Sequence, residues 1–97
     1  MSEAPMMVTA SVLVTNEIGL HARPSVKLTQ LAKRFAASVA VAVDPAGPWV
    51  DAKSPVKIMR VRIPRGARLH IRAEGGDAAA AAAAVVALVE SGFGEHA

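Results

Sequence analysis

The stretch VLVTNEIGLHARPSVKLTQLAKRF, residues 12–35, changes its hydrophobic period part-way along. Up to Val14, apolar side chains recur at every second position (Val8, Ala10, Val12, Val14), the repeat of a strand with one buried face. Beyond Pro24 the repeat becomes helical. Leu28, Leu31, Ala32 and Phe35 share one face, with Lys27, Gln30, Lys33 and Arg34 largely opposite. A proline fits only the first turn of a helix, where its missing N–H is not needed. The helix therefore starts near Ala22, and His21 takes the N-cap or a position beside it. Asn16, Glu17 and Gly19 break the pattern between the two elements. A strand leading into a helix, with a histidine at the junction, sets the fold and raises the chemical question together.

The same reading extends along the chain. Val39, Val41 and Val43 alternate with Ser and Ala as a second strand. DPAGP at 44–48 is turn chemistry, and Trp49–Ala52 is a short third strand, its Trp49 expected in core or sheet packing. Ser54 caps a short helix running to about Arg60, with Pro55 at its first position. PRGAR at 64–68 turns into a fourth strand. There Ala67, Leu69, Ile71 and Ala73 face inward, while Arg68, His70 and Arg72 face out. GGD at 75–77 supplies a break and an Asp cap. The alanine run, with Val85, Val86, Leu88 and Val89, forms the last helix, stopped near Gly92 and Gly94. The order βαββαβα describes an α/β (α+β) open-faced sandwich. Its four-stranded antiparallel sheet is covered on one face by three helices.

Size and composition agree with a single domain over residues 1–97, its ordered core spanning about 7–91 between short tails. At 97 residues there is enough chain for one core. Just over half the residues are hydrophobic, but only one Trp and two Phe are aromatic, so the core must be thin and aliphatic. No apolar run approaches the ~18 residues that span a bilayer. MSEAPMMVTASVLV lacks the charged start of a secretory leader, so a cytoplasmic location is expected. With no cysteine, disulfides and thiol chemistry are excluded. His21, His70 and His96 have no metal-ligand spacing. No P-loop, GxGxxG or paired catalytic carboxylates appear, so neither metal nor cofactor is expected.

A helix N-terminus exposes backbone N–H groups and carries partial positive charge, which makes it a ready anion site. A histidine placed there can carry a phosphoryl group into a set of waiting donors. Imidazole is a nucleophile when neutral, and its bond to phosphorus is labile. Arg23 adds a fixed cation two residues on, and Gly19 leaves the ring uncrowded. Taken alone, His21 reads more readily as an ordinary cap or loop histidine.

The longer string changes that. GLHARPS, with Asn16 before it and LTQLAKRF after it, resembles the active-site signature of the HPr family, the histidine phosphocarriers of the bacterial phosphotransferase system. AKSPVKIM at 52–59 is similar to the family's regulatory-serine segment, and RGARLHIRAEGGDAAAA at 65–81 to its last hairpin and helix cap. The resemblance runs from about Val8 to Val89. It implies a sheet order of 1-4-2-3 and a phosphoryl group carried on Nδ1 of His21, taken from enzyme I and given to an EIIA-type domain. Arg23 would assist the transfer. Ser54 would be the site of an ATP-dependent HPr kinase/phosphorylase in lineages that have one. Leu20, Val56 and Met59, with the first helix, would form the docking face, to which Ala22, Lys27 and Pro55 also belong. Pro55 departs from the family, which usually has an aliphatic residue there.

Such a chain would be a stoichiometric carrier with no turnover of its own, and a monomer. It could serve sugar uptake or, as an NPr-like relative, nitrogen or carbon signalling; both branches use the histidine. The net charge of +3 raises nucleic-acid binding as a rival. Few aromatics and scattered cations stand against it. Lys27, Lys33, Arg34 and Arg60 would instead speed encounter with acidic partners. His70 reads as a solvated strand residue and His96 as part of the tail.

Overall fold

In a computed structural model, which describes residues 7–15 and 21–94, the elements run β1 (Met7–Leu13), α1 (Ala22–Ala32), β2 (Ser38–Ala42), β3 (Val50–Asp51), α2 (Pro55–Val61), β4 (Arg68–Glu74) and α3 (Ala78–Glu90). A 3₁₀ turn at Gly92–Gly94 follows. The strands form one sheet ordered β1-β4-β2-β3, antiparallel at every pairing. The last strand thus occupies an interior place, paired on both sides, and its alternation is the sharpest of the four. Leu69, Ile71 and Ala73 are fully buried toward the helices, while Arg68 and Glu74 are exposed on the other face. In register with them, Val12 lies opposite Leu69, and Val39 and Val41 lie opposite Ala73 and Ile71.

The helices close one side of this sheet. From α1 come Leu28 and Ala32, from α2 Ile58, and from α3 Ala78, Ala81, Ala82, Val85 and Val89, all buried. Alanine at the sheet-facing positions lets α3 approach closely, which explains how so aliphatic a chain leaves no gap to fill with aromatics. Phe93 supplies the largest buried side chain. It sits in left-handed backbone (φ 61°) between Gly92 and Gly94, so the chain folds back and plugs the end of the core after α3 stops. At the other end of α3, Gly75 (φ 140°) brings the β4–α3 turn so close that a Cβ there would lie 3.0 Å from the Cα of Ala37.

Three local expectations need correction. Val43, expected within the second strand, lies beyond it and is 36 % exposed. Strand β2 ends at Ala42, because Asp44 starts a turn in which its carboxylate accepts from Ala46 N–H (2.8 Å) and its carbonyl from Gly47 N–H (2.8 Å). Trp49, expected to open the third strand, precedes β3; of core or sheet packing it takes the second, on the uncovered face of the sheet. Its indole N–H donates to the Pro45 carbonyl (3.2 Å), and the Arg72 guanidinium lies 4.4 Å from its ring centroid. Asp77 occupies the N-cap position of α3 but makes no side-chain capping bond. Its carboxylate reaches across instead, accepting from the N–H groups of Ala36 (2.9 Å) and Ala37 (2.7 Å).

Candidate functional site

His21 stands at the N-cap of α1 with extended backbone (φ −88°, ψ −163°), and its imidazole makes no capping hydrogen bond. The residue is exposed. Its carbonyl accepts from Ser25 N–H (2.9 Å), which closes the first helical turn. The local sequence explains the placement. Pro24 fixes φ inside the first turn, and both it and Ser25 are buried, so the helix start is anchored while the residue before it faces outward. Pro24 has no N–H and that of Ser25 is taken. The first turn of α1 holds no acidic residue to neutralise the positive end of the helix dipole. Ala22 and Arg23 are exposed beside the imidazole, and Arg23 takes part in an interaction of its own within the fold. The buried Ser25 hydroxyl has no hydrogen-bond partner among the described residues.

A second helix start lies on the same layer, α1 packing against α2. Ser54 is the N-cap of α2, its Oγ accepting from Lys57 N–H at 3.4 Å, with Pro55 opening the helix. Val56 is 53 % exposed and Val26 of α1 41 %, so the helical layer presents apolar side chains to solvent. Pro55 and Met59 are half-buried. Lys27 is half-buried too, and its ammonium is committed inside the molecule, donating to the Phe93 carbonyl at 2.7 Å. Leu20, expected on this face, falls outside the described residues, as do Asn16, Glu17, Gly19 and His96.

The first helix and the start of the second are joined by contacts that sequence reading did not find. Thr29 Oγ1, buried, donates to the Ala52 carbonyl (2.9 Å). Lys53 Nζ donates to the Phe35 carbonyl (2.9 Å). Both bonds tie α1 and its exit to the segment that leads into Ser54. A threonine on the apolar side of the first helix is the one sequence signal that hints at such a bond.

These features match a known pattern. A family model described as the PTS HPr component phosphorylation site covers residues 8–91. The chain is 37 % identical over 93 % of its length to the phosphocarrier protein NPr of Escherichia coli K12, spanning 99 % of that protein. It is 42 % identical over 91 % of its length to the multiphosphoryl transfer protein of Haemophilus influenzae, of which it spans only 18 %. Its fold superposes on HPr-C-His from Thermoanaerobacter tengcongensis with a TM-score of 0.84 at 34 % identity, covering 93 % of this chain and 99 % of that one. A sheet in the order β1-β4-β2-β3 under one helical layer, an exposed histidine at the mouth of α1 and a match through residue 91 lead to one conclusion: the chain belongs to the HPr family of phosphotransferase-system phosphocarriers.

Proposed function

We propose that His21 is the residue that carries the phosphoryl group, accepting it from enzyme I and passing it to an EIIA-type domain. The observation that supports this most directly is the exposed imidazole at the extended N-cap of α1, uncommitted to capping its own helix. In each transfer the lone pair of Nδ1 attacks phosphorus while the donor's bond to phosphorus breaks and its electron pair returns to the donor. On the return step the roles reverse, and the acceptor's nucleophile displaces the His21 nitrogen. Between steps the phosphoryl oxygens sit at the positive end of α1. The guanidinium of Arg23 adds charge that strengthens as the transferred group passes between proteins. The chain supplies no turnover of its own; it is consumed and regenerated.

Docking would use the helical layer. Val26 of α1 and Val56 and Met59 of α2 offer apolar side chains on this layer, and Lys33, Arg34, Lys57 and Arg60 add positive charge to it. A small, partly electrostatic interface forms and releases quickly, as a shuttle requires. Ser54 would be the regulatory site for an HPr kinase/phosphorylase, its hydroxyl at a helix start. Among the described residues no helix is long and apolar enough to cross a membrane, which is compatible with work in the cytoplasm. The 37 % identity to NPr across nearly that whole protein favours a regulatory nitrogen-type branch as the second reading. Which EIIA-type domain takes the phosphate fastest would distinguish the branches.

Incubation with enzyme I and phosphoenolpyruvate should add one acid-labile phosphate, and His21→Ala should abolish it; phosphate on that variant would place the acceptor elsewhere. Arg23→Ala should slow transfer by about 10-fold or more while leaving the circular dichroism and melting curve of the fold intact, the effect expected on losing one charge-assisted contact to the moving group.

A further inference from the structure

The side of the sheet away from the helices carries a cleft of about 590 Å³, a volume typical of small-ligand sites, bounded by β1, β4 and the loop that holds Pro45 and Trp49. We propose that this cleft binds a nucleoside monophosphate, its base against the Trp49–Arg72 platform and its phosphate beside His70 and the Arg68 guanidinium at the rim.

The platform is built. The indole N–H of Trp49 is satisfied by the Pro45 carbonyl, which leaves the ring system as the part available for contact, and the Arg72 guanidinium is stacked 4.4 Å from its centroid. Nucleobases stack on aromatic rings and on guanidinium planes alike. Along the same outward face of β4 come His70 and Arg68, each one side-chain repeat further on, or about 6–7 Å per step. One step, to His70, is the scale of the separation between a base and its 5′-phosphate, and Arg68, two steps away, spans the second with its side chain, which leans back to Ser11. Across the cleft Thr9 lies in register with Arg72, and Ser11 with His70. Arg68 lines the adjoining hollow, but its Nη1 donates to Ser11 Oγ (3.2 Å), and Ser11 lines both that hollow and the cleft, so the guanidinium sits at the rim the two share.

Charge sets the length of the ligand. Beyond Arg72 the strand ends in the exposed Glu74, and beside Arg68 a neighbouring hollow is lined by Glu90. An extended polyanion following the row of cations would meet a carboxylate at either end, whereas a single nucleotide ends before both. The flat platform favours a planar ring over an acidic peptide, which would use the cations alone. Because the cleft lies on the opposite side of the sheet from the helical layer, its occupant leaves His21 accessible to docking partners.

Trp49 is the sole tryptophan, so its fluorescence, excited at the red edge where nucleotides do not absorb, reports on this cleft alone; calorimetry on the same samples gives an independent readout. AMP should change the emission saturably, with adenosine and inorganic phosphate each binding at least tenfold more weakly. Arg72→Gln and Arg68→Gln should each weaken AMP by calorimetry at least fivefold while still accepting phosphate on His21 from enzyme I, which shows the fold to be intact. Absence of saturable AMP binding up to millimolar concentration by both methods would overturn the proposal. So would unchanged affinity in both variants, an oligonucleotide binding more tightly in proportion to its length, or displacement of AMP by a poly-glutamate peptide at equal concentration. None of these outcomes bears on phosphate uptake at His21.

Discussion

Thr29 belongs to α1, yet its hydroxyl serves the segment that leads to the second helix, donating to the Ala52 carbonyl at 2.9 Å inside the core. Thr29→Val keeps the shape and removes the donor, leaving a buried carbonyl unsatisfied. The expected cost is about 1–3 kcal/mol, read as a lower urea midpoint with an unchanged slope. An unaltered midpoint would mean that the Ala52 carbonyl finds another donor. His21 teaches the converse lesson. Its place at the helix mouth follows from neighbours in sequence, since Pro24 can only occupy a first turn, and the residue was legible before any coordinates. Thr29 was not, because a threonine at an apolar position has no local partner that would distinguish it from a β-branched filler. Lys27 was misread for the same reason. Its position suggested a solvent-facing cation, and only the return of the chain at Phe93 shows what its ammonium holds.

At the level of elements, the joints made by nearby residues were readable and those made across the fold were not. The period change at Pro24, the Ser54–Pro55 helix start and the inward Leu69, Ile71 and Ala73 all lie within a few residues of their causes. Asp77 shows the limit. Placed just before a helix, it looks like a cap, but its carboxylate takes the amides that end the α1–β2 connection. The Ala36 N–H and, with it, the Ala37 N–H hold the Asp77 carboxyl below its ordinary value of 3.8, against a smaller opposing effect of desolvation. A depressed carboxyl pKa stabilises the fold fully above the unfolded value, and that contribution fades as pH falls through the folded one. Asp77→Asn should therefore melt below the parent at neutral pH. The gap should narrow as pH falls through the lowered folded value, where the parent's own carboxylate takes up its proton. Parallel melting curves across that range would show that the clamp does not depend on charge.

For the whole molecule, the thin aliphatic core makes packing distance the quantity to protect. Ala81 is fully buried on the sheet side of α3, and the helix can lie close only because that side chain is small. Ala81→Leu should cost about 1–3 kcal/mol by overpacking, seen as a lower melting temperature. It should also reduce phosphate transfer little, since His21 stands on a different helix. A large loss of transfer without loss of stability would mean that α3 positions α1 more tightly than the core contacts suggest. The Trp49 cleft lies beyond the reach of sequence reading at this scale. DPAGPW looked like a plain turn, and the outward residues of β4 looked like a solvated stripe. Their meeting depends on how the loop folds over the sheet.

The bond from Lys27 to the Phe93 carbonyl carries a practical consequence. Gly94 lies within 4.0 Å of the Lys27 ammonium, measured from where its Cβ would stand, so a side chain or label introduced at this glycine would press on the flank of α1. Reporters for kinetic work belong away from this joint, where their bulk cannot be mistaken for a property of the helix.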